Sequence, residues 1–143
     1  MRCCVAGPSR APWQPAYVGR RRWPRANRHD AHEARGLTRA SVTKTFEGDI
    51  AGESSLEYLM MYRSAESASF VGMERIVGRL GDRSGSFVLQ HVGKFEEGAT
   101  TGSVVVVLGS GTEGLRGLHG EGRLEAREGE NDSWTMILDY DFE

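Results

Sequence analysis

The sequence predicts an all-β protein, a small antiparallel β-barrel of about seven to eight strands with little or no helix. Three observations predict it. From Thr38 onward apolar and polar residues alternate, the two-residue period of a half-buried strand. Glycine-containing breaks interrupt the alternation about every 10–14 residues, the spacing of a barrel or sandwich. All four prolines (Pro8, Pro12, Pro15, Pro24) precede that region, so none interrupts a strand there.

Strands are expected at 38–50, 53–63, 68–80, 84–95, 99–108, 118–127 and 133–142. Successive side chains of a strand point to opposite faces, and the more apolar face is taken as inward. Ala40, Val42, Lys44, Phe46 and Ile50 are inward in the first, and Leu56, Tyr58, Met60 and Tyr62 in the second. Phe70, Gly72, Glu74, Ile76 and Leu80 follow in the third, then Phe87, Leu89, His91 and Phe95 in the fourth. In the last strand Trp134, Met136, Leu138, Tyr140 and Phe142 are inward. Gly81-Asp82-Arg83, Glu96-Glu97-Gly98 and residues 128–132 have the composition of hairpin turns. One helical turn near Gly114–Leu118 is the most helix expected. Leu59, Met61, Val71, Met73, Val88 and Val92 fall on outward faces, and clustered exposed apolar residues mark an association surface. A homo-oligomer, dimer or trimer, is therefore expected.

The chain divides after Gly36. Residues 1–36 carry eight arginines against Asp30 and Glu33, a net charge of +6, with all the prolines and both cysteines, Cys3 and Cys4. Residues 37–143 carry 10 Lys and Arg against 18 Asp and Glu, a net charge of −8, and 16 of the 19 glycines. The first region has no strand or helix period and is expected to be a disordered or wrongly translated lead-in, and the second the β-barrel domain. The arginines precede no apolar run, as a secretory signal would require, so the expected location is the cytoplasm. At 143 residues the chain suits one domain. A net charge of −2 does not suit nucleic acid, and no stretch approaches the ~18 apolar residues of a membrane helix. Neither a nucleic-acid nor a membrane partner is expected.

Lys44, Tyr58, Glu74 and His91 are polar groups on inward faces, and they are the candidate site. A carboxylate on an apolar face loses hydration, which raises its pKa unless a cation or hydrogen bonds offset the loss. Lys44 or His91 could be that partner, and such a group could work as a general acid or base. The competing reading is a buried structural ion pair. Gly109-Ser110-Gly111-Thr112-Glu113-Gly114 matches the G-x-G-x-x-G of dinucleotide-binding turns. Gly117, Gly120 and Gly122 follow where that turn needs a helix, so the run reads instead as a crossing of closely packed backbones. Ser110 and Thr112 have no evident base. Cys3-Cys4 form no disulfide framework, and the spacing of His29 and His32 suits two metal ligands with no others in support. No metal and no cofactor are expected.

The segments Leu37 to Gly48, Gly85 to Gly93 (ending Gln90-His91-Val92-Gly93), Gly109-Ser110-Gly111-Thr112 with Leu115 and Gly117-Leu118, and Leu138-Asp139-Tyr140-Asp141-Phe142 are similar to the bacterial "domain of unknown function 3224" family. The resemblance covers residues 37–143 in order. It implies a closed barrel of the allene-oxide-cyclase-like type, a superfamily that includes cyclases and dirigent-type proteins with apolar ligands in the barrel. The family has no assigned activity, so the resemblance transfers no catalytic residue, although Glu74, Gln90 and His91 match its motif. Family members carry a further strand ahead of the Leu37 segment, where this chain has its Arg/Pro-rich stretch. A wrong start or a shifted reading frame is expected there. Translated as written, Ala16-Tyr17-Val18 would fill part of the missing strand.

The leading functional expectation is an uncharacterised barrel that binds a small, largely apolar molecule in its interior. Glu74 and His91 would fix its polar end, Lys44 and Tyr58 would face it, and Phe70, Phe87, Trp134 and Tyr140 would line the cavity. The second expectation is an isomerase or cyclase in which Glu74 or His91 transfers a proton. The third is a non-catalytic structural or oligomer-forming module.

Overall fold

The computed structural model describes residues 3–5, 17–21, 37–127 and 133–143, with side chains over 37–126 and 135–143. Among these, strands and one short turn of 3₁₀ helix are the regular structure. The elements are β1 (Cys3–Val5), β2 (Tyr17–Arg21), β3 (Leu37–Phe46), β4 (Ile50–Ser64), β5 (Ser67–Leu80), β6 (Arg83–Glu96), β7 (Ala99–Val106), the 3₁₀ turn Glu113–Leu115, β8 (Leu118–Arg127) and β9 (Ser133–Phe142).

The seven long strands β3 to β9 form one antiparallel sheet in chain order. They do not close a ring by themselves, since no pairing joins β3 to β9 among the described residues. The short β2 spans that break: Tyr17 to Arg20 pair with β9, and Arg20 and Arg21 pair with Thr45 and Lys44. β1 pairs with Leu138 to Tyr140, further along the same strand. The all-β class therefore holds, with Tyr17 and Val18 in the place the sequence offered for them. Cys3 and Cys4 lie in β1 without described side chains, and His29 and His32 lie outside the described residues.

The expected alternation is what builds the sheet. β4 and β5 run buried-exposed-buried through most of their lengths, with Leu56, Tyr58, Met60, Phe70, Glu74, Ile76 and Leu80 inside. Strands β3 to β9 all contribute to one apolar cluster, which includes Phe46, Ile50, Ile76, Phe87, Leu89, Val104, Leu124 and Met136. These side chains are buried although no second layer covers their face among the described residues, so the sheet curls over with this face inside. A smaller cluster of Val42, Leu56, Tyr58, Met60, Ala68 and Phe70 occupies the other part of the interior.

Two boundaries and the burial of one residue stand out against the sequence reading. The first strand stops at Phe46, and Gly48 turns the chain at φ 122°, so Ile50 is inward as expected but opens β4. The strand expected over 99–108 ends at Val106, and Leu108 is exposed. Val88 is half-buried rather than exposed, because the segment after β7 covers it: Val88 N–H donates to Ser110 Oγ at 3.0 Å, and Val107 N–H to Val88 O at 2.9 Å. This segment is the glycine-rich run. Thr112 N–H donates to Ser86 O, and Ser86 N–H to Thr112 Oγ1, both at 2.9 Å. Ser110 and Thr112 thus continue the hydrogen bonding of β6 beyond the end of β7, a structural role. A Cβ on Gly85 would collide with Thr112 O and one on Gly111 with Leu115 O, the close backbone approach the sequence suggested.

Two of the expected turns are present as two-residue connections, Gly81-Asp82 and Glu97-Gly98. Both Glu97 and Gly98 have positive φ (49° and 77°), as the commonest tight hairpins require. The turn expected over residues 128–132 lies outside the described residues.

Candidate functional site

Four of the sequence candidates meet. Lys44 on β3, Tyr58 on β4, Glu74 on β5 and His91 on β6 are all buried, and Ser54 of β4 joins them. Each strand places its polar residue between apolar ones. On β3 the order is Val42, Lys44, Phe46, and on β5 it is Phe70, Gly72, Glu74, Ile76, the first of each set in the smaller cluster and the last in the larger. The site is therefore a polar layer that divides the apolar interior in two.

Register brings these side chains within reach. Lys44 pairs directly with Ser54, and Glu74 with Leu56, so Glu74 is diagonal to Ser54. Tyr58, Gly72 and His91 lie side by side across three strands. Gly72 has no side chain to separate its neighbours, and the Tyr58 ring lies over it, where a Cβ would come within 2.5 Å of the ring. The Tyr58 hydroxyl reaches across to His91 Nδ1 at 3.4 Å.

Glu74 is the hub. His91 Nε2 is 2.7 Å from Oε2, Ser54 Oγ donates to Oε1 at 2.5 Å, and Lys44 Nζ lies 3.2 Å from Oε1 and 3.4 Å from Oε2. Burial pushes the Glu74 carboxyl up. The Lys44 ammonium, the His91 ring and the Ser54 hydroxyl outweigh it and hold the group at about 2, well below its ordinary 4.5. Burial also pulls His91 below its ordinary 6.5. The hydrogen bond and charge of Glu74 oppose that shift without overcoming it, and Lys44 adds to it. The layer at neutral pH is thus one carboxylate, one ammonium and a neutral imidazole.

The tautomer follows from the partners. An ionised carboxylate only accepts, so Nε2 carries the proton and donates to Glu74. Nδ1 then holds the lone pair, and the Tyr58 hydroxyl donates to it. Chemically, Tyr58, His91 and Glu74 form a hydrogen-bonded chain in which Glu74 orients the imidazole. Glu74, ionised and fully paired, is a poor proton acceptor near neutrality.

The aromatic candidates divide. Phe70 packs edge-on to Tyr58 with ring centres 4.8 Å apart, directly beside the layer. Phe87 belongs to the larger cluster, and Tyr140 packs half-buried against it, edge-on to Phe142. The Trp134 side chain lies outside the described residues. Ser54 escaped the sequence reading although the phase of its strand, inward at Leu56 and Tyr58, also points position 54 inward. A serine carries no distinctive signal by itself. Among the described residues no group of three or more His, Cys, Asp or Glu is placed to hold a metal, and no helix is long and apolar enough to cross a membrane.

Fold and site first define a class: an all-β protein whose rolled antiparallel sheet encloses an ionised Glu–Lys pair with a neutral histidine. The chain belongs to the family described as "Protein of unknown function (DUF3224)", whose pattern matches residues 20–140. The match begins ahead of Leu37, where the resemblance read from the sequence begins. The chain is similar to the crystal structure of a protein of unknown function of this family from Shewanella oneidensis MR-1, with 31% sequence identity and a TM-score of 0.67, over 89% of this chain and 93% of that one. No curated protein matches the chain.

Proposed function

We propose that the rolled sheet binds a small, largely apolar molecule in its interior and that the polar layer receives that molecule's polar end. The observation that carries this reading is the layer itself. A buried ion pair contributes little net stability, and well-packed apolar residues of similar volume commonly serve as well or better. A carboxylate, an ammonium, an imidazole and two hydroxyls in the middle of an apolar interior therefore call for a reason other than stability. A polar ligand group exchanging hydrogen bonds with Tyr58, His91 and Lys44 supplies one, with Phe70 and the smaller cluster packing on its apolar part. The barrel type that the family resemblance implies, whose superfamily includes proteins with apolar ligands inside, supports the same reading.

The test is native mass spectrometry of the protein purified from its own host, followed by titration with the apolar fluorophore anilinonaphthalene sulfonate. A co-purifying small molecule, or saturable fluorophore binding weakened at least tenfold in His91→Ala, is expected. Protein of the bare chain mass that binds no fluorophore would sink the proposal.

The chain from Tyr58 through His91 to Glu74 favours a second reading, proton transfer on the bound molecule. Glu74 fixes the ring, and Nδ1 and the Tyr58 hydroxyl face each other, so Tyr58 or His91 would exchange the proton and Glu74 would position it. Turnover of an identified ligand that survives both Tyr58→Phe and His91→Ala would remove this reading and leave binding intact.

A further inference from the structure

We infer that the outer face of β4 to β7 is a self-association surface that takes a second copy of this chain. Leu59, Val71 and Val92 lie side by side across β4, β5 and β6. Met61, Met73 and Val105 adjoin them, and all six point outward and stay about half exposed. Together they present roughly 500 Å² of contiguous apolar surface, at the upper end for a soluble monomer. Two such patches facing each other bury on the order of 1,000 Å², the lower bound of a biological contact and the size of a weak, reversible one.

The two-row pattern of the face points to a second copy as the occupant. Arg39 on β3 is level with Leu59 and Val71, and Arg123 on β8 is level with them at the opposite flank. Glu57 and Glu121 sit one row along, level with Met73. A two-fold axis running across the strands at the level of Gly72 exchanges the two rows. It sets Val71 over Met73 of the other copy and Arg123 toward the other copy's Glu121, while Arg39 stays paired with Glu57 of its own chain at 3.0 Å, so the apolar rows match themselves.

The test uses the full chain. Sedimentation over a concentration series is expected to show a monomer passing to a dimer of twice the mass. Leu59→Lys with Val92→Lys is expected to raise the dimer dissociation constant at least tenfold while leaving the circular dichroism spectrum unchanged and the melt, taken at a dilution where the wild type is monomeric, in place, because both side chains point away from the core. Independently of any variant, peroxide oxidation of Met61 and Met73 in the wild-type chain is expected to slow as protein concentration rises. A wild-type chain that stays monomeric overturns the inference. So does a dimer that the folded double variant retains, methionine oxidation that ignores concentration, or a monomer that instead floats with phosphatidylglycerol vesicles.

Discussion

Replacing Glu74 by Gln keeps the shape of the hub and removes its charge, and the structure gives the consequence a size. In the fold the carboxyl titrates at about 2 against an ordinary 4.5. A carboxyl whose pKa is depressed by folding stabilises the fold fully above its unfolded pKa, and that contribution is lost as pH falls through the folded value. At 1.36 kcal/mol per pH unit the gap is worth about 3 kcal/mol, lost between pH 4.5 and about 2. His91 acts with the same sign at higher pH. Its pKa is lowered by burial, so the neutral ring favours the fold above 6.5, and this contribution fades as pH drops below that value. The wild-type chain should therefore lose stability as pH falls below 6.5, and lose it more steeply below 4.5, where Glu74 adds its share. In Glu74→Gln the added loss below 4.5 disappears. At neutral pH the variant also leaves the Lys44 ammonium buried without its carboxylate, a loss of about 3–5 kcal/mol. Against a typical domain stability of ~5–15 kcal/mol that is a large share. Urea unfolding followed by circular dichroism at a series of pH values measures both effects. An acid limb of the same depth in both proteins, or a loss under about 1 kcal/mol at neutral pH, would refute the placement of Glu74 in a dry, paired site.

Three further outcomes are expected. Tyr58→Phe removes the donor to His91 Nδ1 and should cost about 1 kcal/mol in urea unfolding, with a nitrogen-15 shift of His91 Nδ1 that reports the lost hydrogen bond. Gly72→Ala sets a Cβ against the Tyr58 ring and Glu57 O; it should cost about 2 kcal/mol and shift that same Nδ1 resonance. Thr100 is buried, and its hydroxyl has no hydrogen-bond partner among the described residues. Thr100→Val keeps the shape and removes the unsatisfied group, so it should raise the urea midpoint, by about 1 kcal/mol of stability.

Most of the strands, their faces and four of the five polar residues of the layer were legible in the sequence for one reason: a two-residue period assigns every inward residue once any one is known. Where the period breaks, the reading fails. Ile50 keeps the inward phase of the first strand across the Gly48 turn, so the strand appeared to continue. Val88 is outward by phase, yet the glycine-rich segment folds over it, and a period contains no information about a loop that returns from elsewhere. The division of the aromatic candidates was also invisible. Phase places Phe70, Phe87 and Tyr140 on one face, but height along the rolled sheet depends on the stagger between strands, which appears only in the register.

That stagger also explains why the site needs a residue with no side chain. Lys44, Ser54 and Glu74 approach by stepping diagonally from strand to strand, which leaves His91 beside Gly72 rather than beside Glu74. Any side chain at position 72 would stand between Tyr58 and His91 and fill the space that the Tyr58 ring uses. The same device recurs one step along β6, where the Phe70 ring lies over Gly93. An aromatic ring over a cross-strand glycine restores the packing the glycine forgoes. At Gly93 the result is only a filled core. At Gly72 the ring ends in a hydroxyl, so the same packing solution carries a proton donor to the imidazole. The chemistry of the layer thus depends on a glycine whose place in the pattern reads as a mere gap in the apolar face.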